Sequence, residues 1–370
     1  QFLFKKSEQE PLIFVLDEYP YLRENAKGLD SVLQSVIDNY KDISNIKFII
    51  CGSYVDTMKA LLAKQNPLYG RIDLTINLKP MDYYDSALFY SVFSDEDKVR
   101  LYSVFGGIPY YNRLIDPHKS VRENIIDLIA SPGARLENEV SMYLNSEISK
   151  ITNANEVFEA LAKGFSKYKD LLDQSNVSSG PALVDILDKL MRMDVVAKEA
   201  PINDENNRKK SGYFISDNLS LFYYKYIFRN ISRMNIMDSD IFYDKYIAND
   251  FETKYVPKIF ENVCKQYLIR QNRKGMMDDI FVKIGKYYYD DPVERKNGEF
   301  DIVTLDDNGY IFYEAKFRKE PISESMVQNE IHQVTLTGLE CYKYGFFSRS
   351  GFVCEQAENR ILIPLEELYR

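Results

Sequence analysis

The sequence predicts an α/β protein of several domains, and three observations predict it. Two apolar runs, Pro11–Leu16 and Lys47–Cys51, flank a helical stretch, the alternation that produces a parallel sheet. The middle of the chain is helical by periodicity and closes on two short strand-like runs. Near the end, Gly298–Leu305 and Tyr310–Lys316 enclose a turn, Asp306-Asp307-Asn308-Gly309, whose Asn-Gly tolerates the positive φ of a hairpin. Length adds two or three domains as an expectation. The patterning divides the 370 residues into segments 1–92, 93–150, 151–235 and 236–370.

Composition excludes several classes. The chain is 45 % hydrophobic and 28 % charged, with 29 Tyr, 22 Phe and no Trp, which is a globular balance. A net charge of −9 argues against a protein that coats nucleic acid, so any polyanion contact must be local. The four Cys (Cys51, Cys264, Cys341, Cys354) have no metal spacing and read as thiols of a reducing compartment. Only two His occur, His118 and His332, so a His-based metal site or triad is not expected. No apolar run approaches the ~20 residues of a membrane span. No signal peptide opens the chain, and a cytoplasmic protein is the expectation.

In chain order, the run Pro11–Leu16 reads as a buried strand ending in two acids, Asp17 and Glu18. A helix follows at Ser31–Tyr40, then a second buried strand, Lys47–Cys51, stopping at Gly52-Ser53. In parallel sheets the site lies at the carboxyl ends of the strands, where these polar residues fall. Helices are expected at Lys98–Phe105, Val121–Ile129 and Leu136–Ser149, and then at Asn153–Phe165, Tyr168–Asp173 and Gly180–Met193. Strands Val195–Glu199 and Gly212–Ile215 come next, joined by a polar loop with the cationic run Arg208, Lys209, Lys210. Three helices and a β-wing form the winged-helix pattern. Its third helix, the expected reader, carries Asp185, Asp188 and Asp194 against Lys189 and Arg192. A DNA contact would therefore rest on Arg208, Lys209 and Lys210. In Leu219–Asn230 the stripe Phe222, Tyr223, Tyr226, Ile227 reads as packing, and Ile236–Asp250 as a connection.

The C-terminal segment holds the chemistry. A helix opens at Phe260-Glu261-Asn262-Val263, a strand is expected at Ile280–Ile284, a helix at Ser323–Thr335 and a last strand at Tyr344–Phe347. Side chains alternate across a strand, so Glu314 and Lys316 share a face. A two-residue turn sets Asp301 opposite Lys316, and a four-residue turn sets it opposite Glu314. In either register Asp301, Glu314 and Lys316 share one face, with Glu299 beside them. Phe300, Ile302, Ile311, Tyr313 and Phe317 form the other, core face. Carboxylates so close repel unless a proton or cation lies between them. Mg²⁺ takes such oxygen ligands, and a neighbouring Lys can act on a bound water or a phosphoryl oxygen.

The Asp, spacer, Glu-x-Lys pattern resembles the PD-(D/E)XK nuclease superfamily, whose core is a helix, a three-strand meander, a helix and a strand. The resemblance implies Mg²⁺ on Asp301, Glu314, Glu299 and Glu261, the last matching an extra metal-site acid of that family's helix, with Lys316 catalytic. Glu299-Phe300-Asp301 stands where the family has Pro-Asp. The first segment resembles P-loop ATPases related to the AAA+ and STAND groups, found mainly in archaea and also in bacteria. Asp17-Glu18 looks like a Walker B element, which implies Asp17 on Mg²⁺ and Glu18 polarising water. Ser53 falls at the sensor position, and Arg71 of Asn66-Pro67-Leu68-Tyr69-Gly70-Arg71 is a candidate finger toward a neighbouring subunit. Gly106-Gly107-Ile108-Pro109-Tyr110-Tyr111 also matches that family, whose order is ATPase, helical lid, winged helix, nuclease-like domain.

The Walker A loop G-x-x-x-x-G-K-[ST] is missing. Either the first part of a longer protein lies outside this chain, or the chain is a truncated relative; its opening inside a fold element at Gln1 favours the first. The resemblance implies an ATP-driven switch coupled to a nuclease-like domain acting on DNA. The alternative is a regulatory ATPase whose winged helix and inactive nuclease fold serve as binding surfaces. ATP, DNA, Mg²⁺ and a second copy of the chain are the implied partners.

Overall fold

A computed structural model describes every residue except 53–54, 141, 143–150, 208 and 292–295. The chain folds as two compact units, Gln1–Lys79 with Asp188–Val195, and Pro80–Leu187 with Val196–Arg370.

In the first unit, β1 (Leu12–Leu16) leads through α1 (Tyr19–Asn25) and α2 (Leu29–Tyr40) to β2 (Ile46–Ile50). The strands pair in parallel, from Leu12 opposite Ile46 to Leu16 opposite Ile50. Their expected full burial is corrected. Leu12, Phe14 and Leu16 are half-buried, whereas Ile13 and Val15 are exposed. A continuous apolar run needs cover on both faces, and this pair is covered on one. The small core is Tyr19, Leu61 and Leu68, with Leu16, Ile37 and Ile50 packed around it. Beside it the buried Asp30 accepts hydrogen bonds from Tyr19 Oη at 2.7 Å, Arg23 Nε at 2.9 Å and Asn66 Nδ2 at 2.8 Å.

The second unit begins with α3 (Tyr83–Ala87), α4 (Asp95–Phe105) and α5 (Val121–Leu128). Ser94 caps α4 through the Asp97 amide, and Ser120 and Glu123 close a capping box on α5. The helix expected at Leu136–Ser149 lies largely outside the described residues. Next come α6 (Ala154–Ala162), α7 (Tyr168–Gln174) and α8 (Gly180–Arg192), whose residues from Asp188 on are counted with the first unit. The antiparallel pair β3 (Val196–Glu199) and β4 (Gly212–Ile215) then follows, with Val196 opposite Ile215. Phe222, Tyr223, Tyr226 and Ile227 are all buried, as packing residues. The stretch 236–250, expected as a connection, is helical, with turns at Ser239–Tyr243 and Asp244–Ala248.

The last part is a five-stranded mixed sheet between helices. It comprises α9 (Val256–Arg273), β5 (Lys283–Asp291), β6 (Lys296–Asp306), β7 (Gly309–Lys316), α10 (Glu324–Leu336), β8 (Cys341–Ser348) and β9 (Arg360–Pro364). The strand order is β9-β8-β7-β6-β5, with β5, β6 and β7 an antiparallel meander and β7, β8 and β9 parallel. The strand expected at Ile280–Ile284 begins only at Lys283 and runs on to Asp291.

The expected single core face is also corrected. Phe300, Ile302, Ile311, Tyr313 and Phe317 are buried as expected, but so are Val303 and Phe312 from the face expected to be open. Val327 and Val334 of α10 cover Phe300, Val303 and Phe312. From α9, Phe260 meets Phe317 at 5.1 Å and Tyr267 meets Phe347 at 5.9 Å. Helices therefore cover both faces, and polar side chains gather at the end of the hairpin away from the turn.

Candidate functional site

The register of the hairpin decides which acids meet. Leu305 pairs with Tyr310 and Ile302 with Tyr313, the four-residue-turn register extended by one more pair, Asp306 with Gly309. On the other side of β6, Val303 faces Gly285 but Phe300 faces Tyr287, so Asp301 and Ile302 together oppose Lys286. That is a β-bulge, which bends a strand and re-aims its side chains. Asp301 is thereby turned toward α9 rather than standing in one row with Glu314 and Lys316.

Two linked networks result. Lys258 of α9 reaches Glu261 at 2.5 Å and Asp301 at 3.0 Å. Lys286 reaches Asp301 at 3.1 Å and Glu299 at 3.3 Å, and Glu299 also pairs with Lys167. On the far side Lys316 bridges Glu314 at 2.6 Å and Glu330 of α10 at 3.0 Å. Glu261, Glu299 and Asp301 line a cavity of about 650 Å³ in the second unit.

Burial and repulsion set the electrostatics. Burial pushes the Glu261 carboxyl up, to about 7, and the charges of Asp301 and Glu314 add to it against the pull of Lys258. Glu314 is likewise raised, by burial first and by Glu330, although Lys316 opposes this. Burial also works against charge on Asp301, but Lys258 and then Lys286 outweigh it and hold Asp301 below the usual carboxylate range. Lys316 stays protonated more firmly than usual, because Glu314 and Glu330 outweigh its desolvation.

Asp301, Glu261 and Glu314 thus feel one another's charge in a desolvated place, a situation that a divalent cation relieves. The donor types fit Mg²⁺. Among the described residues, however, no group of three or more His, Cys, Asp or Glu is gathered to hold a metal as it stands. Lysine ammonium groups balance the acids instead. Lys258 could have been found from its i, i+3 spacing to Glu261. Lys167, Lys286 and Glu330 come from other elements and leave no local signal.

In the first unit, Asp17 lies at the carboxyl end of β1 and is exposed. Its Oδ1 accepts from the Glu18 amide at 3.0 Å and from Cys51 Sγ at 3.2 Å, so the ends of β1 and β2 meet there. Glu18 adopts a left-handed conformation, φ 48°, just before α1. Arg71 is held within the chain, donating to both carboxylate oxygens of Asp38 at 2.8 Å and to the carbonyls of Pro67 and Tyr69. Ser53 and Arg208 lie outside the described residues. Lys210 pairs with Asp204 at 3.1 Å and sits 4.0 Å over the Tyr288 ring, while the Lys209 amide donates to Asn207 Oδ1.

Residues 223–333, which span α9, β5 to β7 and most of α10, match the family model DUF234, described as archaea bacterial proteins of unknown function. All of Glu261, Glu299, Asp301, Glu314, Lys316 and Glu330 fall inside the matched residues. An uncharacterized protein of Methanocaldococcus jannaschii is 27 % identical over 363 residues, 96 % of this chain and 79 % of that protein. Among solved structures, the chain is similar to a Walker-type ATPase of Pyrococcus abyssi, with TM-score 0.45 and 19 % identity over 60 % of this chain and 66 % of that one. A protein of Vibrio cholerae matches with TM-score 0.21 and 12 % identity over 100 % of this chain and 92 % of its own. Among the described residues no helix is long and apolar enough to cross a membrane.

Proposed function

We propose that the DUF234 domain is a nuclease-like domain acting on DNA, coupled to a P-loop ATPase of which residues 1–92 form the later part of the core. The observation that carries this reading is the crowding of Glu261, Asp301 and Glu314 around the end of a helix-covered hairpin that also presents Lys316. Asp301, Glu314 and Glu261, with Glu299 beside them, would hold Mg²⁺, which supplies a Lewis acid for a phosphodiester oxygen and for water. In the hydrolysis, water oxygen bonds to phosphorus as the bond to the leaving sugar oxygen breaks; the attacking water gives a proton to solvent and the leaving oxygen takes one up, so that a phosphate monoester and an alcohol result. Lys316, held protonated by Glu314 and Glu330, serves as a cation toward the phosphoryl oxygens rather than as a base. In the first unit Asp17 would take Mg²⁺, Glu18 the attacking water, and Ser53 and Arg71 the nucleotide-sensing roles. A winged helix formed by α6, α7, α8, β3 and β4 lies between the two parts of the chain sequence.

A second reading has its own support. Lys258 and Lys286 already neutralise Asp301, as suits a nuclease fold retained as a binding surface in a regulatory ATPase. One assay separates the readings: cleavage of single- and double-stranded DNA with Mg²⁺ or Mn²⁺, wild type against Lys316→Ala and Asp301→Ala. Metal-dependent cutting lowered at least 100-fold in both variants, with melting temperatures retained, is expected of the nuclease. Absence of cutting by the folded wild type moves the function to the regulatory reading. Cutting that survives Lys316→Ala rejects the residue assignment.

A further inference from the structure

The cavity above Asp301 has features that the carboxylate site does not use. Eight lysines line it against four carboxylates, in a chain whose net charge is −9. Acids behind the lining temper this excess, Asp204 on Lys210 and Glu159 on Lys163 among them, but one acid behind the lining and one within it each serve two ammonium groups. Asp250 faces Lys225 at 3.0 Å and Lys254 at 4.0 Å, and Asp301 faces both Lys258 and Lys286. Lysines that share one carboxylate keep attraction for a further anion.

One wall is β4, which places Phe214 against the cavity, and its side chain remains 45 % exposed. The loop before β4 is fixed to the edge strand β5. The Ile202 amide donates to the Lys286 carbonyl at 2.8 Å, and Asn203 exchanges hydrogen bonds with the Tyr288 backbone at 2.7 and 3.1 Å. Lys167 adds a bond to the Lys210 carbonyl at 2.6 Å. The β3–β4 loop therefore serves as the wall of a cavity rather than as a free arm for a duplex groove.

A lysine-lined recess with an exposed aromatic ring is the arrangement that holds single strands, phosphates on the cations and a base on the ring. Its volume falls within the range of small-ligand sites, about 300–1,000 Å³, room for one or two nucleotides and too little for a base-paired helix. We propose that this cavity binds a short single-stranded segment of nucleic acid, stacking one base on Phe214 and seating the adjoining phosphates on Lys167, Lys258 and Lys286. The inference deepens the nuclease-like reading and rests on it for the position of the scissile phosphate beside Asp301.

The test is fluorescence anisotropy of the full chain with a labelled oligothymidylate of about six nucleotides, in EDTA so that binding is read without cleavage. Saturable binding is expected, displaced by unlabelled single strand far better than by a duplex of equal length or by a mononucleotide. Phe214→Ala should weaken it about tenfold and Phe214→Tyr should restore it, with melting temperatures unchanged because the ring is exposed. No binding, tighter binding of the duplex, or wild-type affinity in Phe214→Ala overturns the proposal. Cleavage is read separately with Mg²⁺. Binding without cleavage retires the nuclease and leaves this site standing, whereas cleavage with no effect of Phe214→Ala on binding does the reverse.

Discussion

Glu261 shows how burial and neighbours set the chemistry of a single side chain. Its carboxyl rises from an ordinary 4.5 to about 7, burial being the largest cause. Between those values the folded protein binds the proton more tightly than the unfolded chain, so this group's contribution to stability is present below pH 4.5 and is lost as pH rises through 7. At 1.36 kcal/mol per unit the effect is roughly 3 kcal/mol at most. Glu261→Gln, which keeps the shape without the charge, should therefore be more stable than wild type by about 2 kcal/mol at pH 8. The difference should vanish near pH 4.5. Thermal melts from pH 4 to 8 read this directly, and a gap that does not grow with pH would reject it. Mg²⁺ at pH 8 should narrow the gap by favouring the carboxylate.

At the scale of elements, Gly106-Gly107 has a packing explanation. Gly106 ends α4 with φ +58°, and Gly107 lies so close to the chain that a Cβ there would come within 2.0 Å of the Met81 carbonyl oxygen. The Met81 amide also donates to the Gly107 carbonyl at 2.9 Å, which holds that backbone in place. Gly107→Ala should cost about 2–3 kcal/mol, measured by urea unfolding. Asn66 and Arg71 have similar structural partners in Asp30 and Asp38. The hairpin was legible from its Asn-Gly turn and alternation, and its register was one of the two that turn length allows. The bulge opposite Lys286 was not legible, because it arises where β6 pairs with β5, a strand whose extent no local pattern fixed.

At the scale of the whole molecule the two units differ in how well they are covered. β1 and β2 form a two-stranded sheet with Ile13, Val15 and Ile49 exposed, whereas β6 and β7 lie in a five-stranded sheet with helices on both faces. Two-stranded sheets are marginal by themselves, and local opening follows buried contact. Amide exchange should accordingly be at least tenfold faster in Leu12–Leu16 than in Ile311–Tyr313, by mass spectrometry or NMR. Equal protection would mean that the first unit is stabilised by something other than its own core.

The sequence by itself determined the element types, the helix–meander–helix–strand order and the identity of the acids and lysine at the hairpin. Those follow from local periodicity, turn residues and side-chain chemistry, which neighbours in the chain carry. Tertiary structure alone decided that helices cover both faces of the sheet, that Asp301 turns to α9, and that lysines share its charge. Lys167 meets Glu299 across 132 positions of sequence. A contact of that span depends on how the elements pack and leaves no trace in the spacing of residues along one of them.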